Sequence, residues 1–130
     1  MNKSALTLTL SLFFMAKMAM SSQDCESLKK DINTDNMGFY QELVQKSLTQ
    51  NIKPSTIEIS RILADNEWLA IYAATDISDP GVLFFKNNKF VDVWGGDVSP
   101  EEKNNVLKWT REIHVPDKLA QCFFDSIVIR

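Results

Sequence analysis

Two cysteines, Cys25 and Cys122, stand near opposite ends of a 130-residue chain, and what they can do depends on the segment before them. Lys3 opens that segment with a positive charge. Residues 5 to 16 then form a mostly apolar run around Leu6, Leu8, Leu10, Leu12, Phe13 and Phe14, and the small residues Ala19 and Ser21 lie three and one positions ahead of Ser22. This is the pattern of a secretory signal peptide, residues 1–21, cut before Ser22. The run is too short to span a bilayer comfortably, and no later stretch approaches the length a membrane helix needs. The chain is therefore expected to be periplasmic or secreted, with no membrane insertion once the signal is removed.

In an oxidising compartment, two isolated thiols in a small exported domain pair as a disulfide. Such a bridge closes nearly the whole mature chain, so any fold must bring its first and last elements together. A redox role is disfavoured, because the short pair C-x-x-C is absent. A lipid anchor on Cys25 is rejected too, since Ser22, Gln23 and Asp24 lack the apolar-then-small pattern such sites use.

Residues 22–130 make 109 residues, one exported domain's worth and enough for a single packed core. Lys3 and Lys17 leave with the signal, so 12 basic residues face 17 acidic ones, a formal charge of −5. A nucleic-acid surface wants the opposite sign, clustered. No nucleic-acid partner is expected.

The punctuation predicts an α+β domain in which an antiparallel sheet of about four strands, residues 56 to 94, is flanked by N-terminal and C-terminal helices. Residues 24 to 32 read as a short helix. A second follows from Met37 to Leu48, where Met37, Tyr40, Val44 and Leu48 recur at helical spacing until Lys53-Pro54 ends it. Thr56 to Ser60 alternates, with Ile57 and Ile59 on one side, as a half-buried strand does. Trp68 to Ala74 is apolar on both alternating sets and reads as a central strand covered on two faces. Asp76 to Gly81, containing Ser78, Asp79 and Pro80, is a loop by composition.

Val82 to Lys86 and Lys89 to Trp94 flank Asn87-Asn88, two residues that tolerate positive φ and suit a tight hairpin. An unbroken register sets residue 84 opposite 91 and residue 82 opposite 93. One face then carries Val82, Phe84, Val91 and Val93, and the other Leu83, Phe85, Phe90, Asp92 and Trp94. The second face is either roofed by the N-terminal helices or left as a contact surface. Ser99-Pro100-Glu101-Glu102 combines a cap, a first-turn proline and a capping-box glutamate, and starts a helix reaching about Ile113 with Val106, Leu107, Thr110 and Ile113 inward. Val115-Pro116-Asp117 opens a last helix carrying Leu119, Cys122 and Phe123.

Chemistry-bearing residues are sparse. His114 is the one histidine, and its place between two helices suits a helix end. Zinc needs more His and Cys ligands than are free, and Asp76, Ser78 and Asp79 lack the rest of a calcium loop. No serine elbow, phosphate-cradling glycine loop or singled-out carboxylate pair exists among Glu67, Asp92 and Asp97. The expectation is a chain without enzymatic activity, cofactor or metal.

The run Asp79-Pro80-Gly81 through Trp94-Gly95-Gly96, with the helix from Pro100, resembles the C-terminal half of a thioredoxin domain, in which a proline precedes a strand, a Lys-Asn turn joins two strands and a glycine precedes the last helix. It covers about a third of the mature chain. The resemblance implies a parallel central sheet, but the family's paired cysteines have no counterpart, and residues 22 to 67 do not read as its opening strand, helix and strand.

Two functions fit these readings. The first is a non-catalytic binding protein of the cell envelope, such as an inhibitor or immunity protein that neutralises a basic hydrolase or toxin, because a negatively charged surface speeds capture of a basic partner. The alternative is a degenerate thioredoxin-like or small-ligand-binding envelope protein with an enclosed apolar pocket. For the first, the expected partner-binding residues are Asp76, Asp79, Asp92, Trp94 and Asp97. The hairpin brings Gly81 and Trp94 to one end of the sheet, where Trp94 either anchors a partner or packs under the helix from Pro100.

Overall fold

Three asparagines carry the sheet round two of its three corners. Asn66, Asn87 and Asn88 take φ of 54°, 51° and 63°, the left-handed region their short polar side chains tolerate. The computed structural model describes residues 22–130. Its strands are β1 (Glu58–Asp65), β2 (Trp68–Thr75), β3 (Ser78–Lys86) and β4 (Lys89–Gly95). They form one antiparallel meander in the order β1-β2-β3-β4. Helix α1 (Met37–Ser47) precedes the sheet, and α2 (Lys103–Glu112) and α3 (Asp117–Ile127) follow it. The expected α+β order is therefore the observed one. The expected signal segment lies outside the described residues.

Each face of the sheet has its own core. Tyr40 and Val44 of α1 cover Ile57, Ile59, Ile62, Ile71, Leu83 and Phe85. On the opposite face, Val106 of α2 with Leu119, Phe123 and Phe124 of α3 covers Leu63, Trp68, Ala70, Val82 and Phe84. β2 is buried on both sides, which is why its sequence shows no polar alternation. Cys25 bonds Cys122 with a Cα separation of 5.5 Å, tying the N-terminal 3₁₀ segment Ser22–Leu28 to α3.

Three bulges separate the observed register from a period-two reading. Ser60 is the extra residue in β1, between the pairs Ile59/Ala73 and Arg61/Tyr72. Asp79 and Pro80 of β3 together face Ala74, and Val91 is the extra residue of β4 between Phe85/Phe90 and Phe84/Asp92. A bulge flips every side chain beyond it. The expected faces of the β3–β4 hairpin are corrected accordingly: Phe84 lies opposite Asp92 and Val82 opposite Trp94, so Val82, Phe84, Asp92 and Trp94 share a face, and Leu83, Phe85, Phe90 and Val93 share the other. Residues 78 to 81, expected as loop, are strand. Pro80 is tolerated because a bulge asks no ladder hydrogen bond of it, and only Asp76-Ile77 remain as turn.

The expected helix over 24 to 32 is also shorter, ending at Leu28. Lys29 then bridges Leu63, and the Lys30 N–H donates to Ile62 O at 2.9 Å, so the free edge of β1 captures the chain. The half-buried strand expected from Thr56 starts at Glu58 and runs on to Asp65. The thioredoxin resemblance stops at the hairpin and helix. Among the described residues the parallel pairing is the single bridge Val98/Val128, and no strand pair of the sheet is parallel.

Ahead of α2 the Glu102 carboxylate accepts the Ser99 N–H at 2.8 Å while the Ser99 side chain faces the Glu102 N–H, the reciprocal box its sequence predicts. His114 takes φ 71° just past α2 and donates its N–H to Arg111 O, a helix-stop role.

Candidate functional site

The antiparallel register lines up Arg61, Tyr72, Val82 and Trp94 in one row across all four strands at the open end of the sheet. Beyond that row the strands end unevenly. β1 begins opposite Ala74 and β4 ends opposite Gly81, so Thr75 to Ser78 project past both neighbours and Asp79 and Pro80 past β4 alone. Three strand residues, Ser78 to Pro80, lack a neighbour on the β4 side, an overhang of roughly 10 Å at the rise of an extended chain.

A groove of about 1180 Å³ wraps round this end, from Val44 of α1 and Leu48 just after it, past Asp79 and Trp94, to Ser126 of α3. It is open to solvent. Glu58, Asp79 and Asp97 place carboxylates along it, and Arg61 a single guanidinium. Between Arg61 and Lys86 the sequence holds no lysine, arginine or histidine.

Trp94 has a double role in this geometry. Its indole packs edge-on to Trp109 of α2, with centroids 5.1 Å apart, and lies 6.3 Å from Phe123 of α3. The indole N–H donates to Gly96 O at 3.2 Å, across the bend where Gly96 takes φ 88°. The ring thus sits under the helix that follows Pro100, and its remaining surface lines the groove. Asp79 and Asp97 are exposed in the same groove; Asp76 is exposed at the hairpin tip, outside its lining. Asp92 lies one row inward on the Trp94 face, half-buried. Its Oδ1 accepts the Val93 N–H at 2.8 Å. The ladder's alternation from the closing pair Lys86/Lys89 turns that N–H away from β3, so Asp92 caps a donor on the sheet's free edge.

Four exposed residues of the groove and its tip escape a composition reading. Ile77 is 62% exposed at the tip between Asp76 and Ser78. Phe90 and Val93 stay exposed although α1 packs against β4, so the α1-side face is roofed only in part. Arg61 reaches the Tyr72 face through the Ser60 bulge, its Cζ 5.4 Å from the ring centroid. The sequence holds one trace of this: Ile59 and Ile62 are three apart, a spacing that keeps both on one face only if a residue is bulged between them.

Tyr72 joins the sheet to α3. The Ser126 hydroxyl donates to Phe123 O at 2.6 Å, leaving its oxygen to accept the Tyr72 phenol. Burial pushes the phenol above its ordinary 10.0, outweighing the opposing effects of Ser126 and Arg61. A group whose folded pKa is raised contributes stability below its unfolded pKa and loses it as pH climbs through the folded value. Tyr72→Phe is expected to cost about 1 kcal/mol near neutrality. In paired thermal melts the gap between the two proteins should close above pH 10; a gap unchanged into the alkaline range contradicts the buried-phenol account.

No family model, curated protein or solved structure matches the chain. No helix among the described residues is long and apolar enough to cross a membrane.

Proposed function

We propose that this chain is an exported, non-catalytic binding protein that neutralises a basic hydrolase or toxin acting on the cell envelope, and that the open end of its sheet is the binding surface. One observation carries the reading: the projecting β2–β3 hairpin and the turn after β4 place the exposed Asp76, Asp79 and Asp97 at one end of the sheet, beside the groove that Trp94 lines. Carboxylates around a partly apolar surface steer a cationic partner and reject acidic ones. The groove's openness favours a protein surface over a small molecule, which is usually enclosed over most of its area. The disulfide supports the same setting, being suited to an oxidising compartment outside the cytoplasm.

The test uses the full chain, exported and purified, against basic envelope-degrading enzymes: a muramidase, an amidase and a phospholipase. Stoichiometric loss of turnover for one of them, weakening as salt is raised, is the expected result. Undiminished turnover by all three at micromolar excess overturns the reading.

A further inference from the structure

We propose that the tip of the β2–β3 hairpin is a wedge that enters the substrate cleft of a cationic hydrolase, with Ile77 as its anchor; this rests on the binding function proposed above and specifies how the surface is used. Ile77 is 62% exposed on a turn of two residues, and the residues on either side of it, Asp76 and Ser78 to Pro80, are exposed as well. This aliphatic side chain at the end of an overhang leaves most of its surface unburied in its own fold. Its burial becomes available only when another molecule surrounds it.

The tip is held in shape by its own hydrogen bonds. Thr75 Oγ1 accepts the N–H of Ile77 at 3.3 Å and that of Ser78 at 3.1 Å, and the Thr75 and Ser78 hydroxyls are 2.7 Å apart. Little conformational entropy is then left to lose on docking. The bulge at Asp79-Pro80 leaves the flank of the overhang without the Pro80 N–H, so it is poorly suited to adding a strand. Insertion end-on, rather than pairing along the edge, suits such an element.

The same features describe what it fits. Ile77 asks for an apolar slot, and Asp76 and Asp79 to either side ask for a cationic rim. An overhang that is roughly 10 Å on the β4 side and one residue longer than β1 on the other asks for a recess, which a flat surface does not offer and an enzyme's cleft does. The groove behind the tip, with Trp94 and Asp97, meets the rim once the tip is seated.

Calorimetric titration of the full exported chain against the same muramidase, amidase and phospholipase tests this. Ile77→Asp should weaken binding about thirtyfold or more, the range of a central anchor, while melting at the wild-type temperature because the side chain is exposed. Ile129→Asp, at an equally exposed isoleucine near the C-terminus, should bind as wild type does. A substrate oligomer filling the enzyme's cleft should compete with the wild-type chain. Binding that survives Ile77→Asp, or that ignores the substrate oligomer, overturns the wedge and leaves the broader reading standing. No binding by the wild-type chain to any of the three enzymes overturns both.

Discussion

Replacing both cysteines, as Cys25→Ser with Cys122→Ser, should lower the melting temperature by roughly 15 °C. The bridge joins residues 97 apart, and the chain-entropy estimate for a loop near 100 residues is about 4.7 kcal/mol. Measured bridges usually deliver less, so a loss of about 3 kcal/mol is expected, which at about 5 °C per kcal/mol gives that shift. The 3₁₀ segment Ser22–Leu28 should be the first part released, because apart from Leu28, the bridge from Lys29 and the Lys30 hydrogen bond, little besides Cys25 fastens it. Hydrogen exchange accelerated there before it is accelerated in β2 is the accompanying signature. A double variant that melts with the wild type means the bridge adds nothing that α3 packing does not already supply.

Phe84→Ala should cost about 4 kcal/mol, in the range of buried phenylalanine truncations, and lower the melting temperature by roughly 20 °C. Phe84 is fully buried, its ring edge-on to Phe123 at 5.0 Å and to Trp109 at 5.6 Å. It is the point where β3 meets both C-terminal helices, so the cavity cannot be closed by one neighbour moving. Phe90→Ala is the matched control. Although Phe90 touches Phe85 at 5.8 Å, it is 43% exposed on the edge strand, and its loss should cost about 1 kcal/mol or less. Equal losses in the two variants contradict the burial of Phe84 against both C-terminal helices and the exposure of Phe90. Trp94→Ala is a poor probe of binding for a related reason: it removes a ring from the Trp109 and Phe123 cluster, so weakened binding and weakened folding arrive together.

What the sequence disclosed and withheld has a physical pattern. Local chemistry was legible wherever a residue type suits one backbone state: the asparagine turn at Asn87-Asn88, the box at Ser99 and Glu102, and helix α1 from its spacing of Tyr40 and Val44. Burial of β2 on two faces was legible from its unbroken apolar run. Bulges were not, because one inserted residue at Ser60, at Asp79-Pro80 or at Val91 leaves composition unchanged and reverses the faces beyond it. The site suffers most from this. Asp76, Asp79 and Asp97 were expected at the sheet's end and are exposed there, whereas Asp92 turns to the free edge and caps the Val93 N–H. Ile77 and Arg61 owe their places to the overhang and to a bulge, neither of which a count of polar and apolar residues reveals.

The most direct test of the central claim is hydrogen exchange of the purified chain, alone and with a saturating amount of whichever basic hydrolase the inhibition assay identifies. The account predicts slowed exchange at Thr75 to Gly81 and Gly95 to Asp97, with the exposed side of α2 around Lys108, Arg111 and Glu112 unchanged. Protection on α2 with none at the hairpin tip would contradict it.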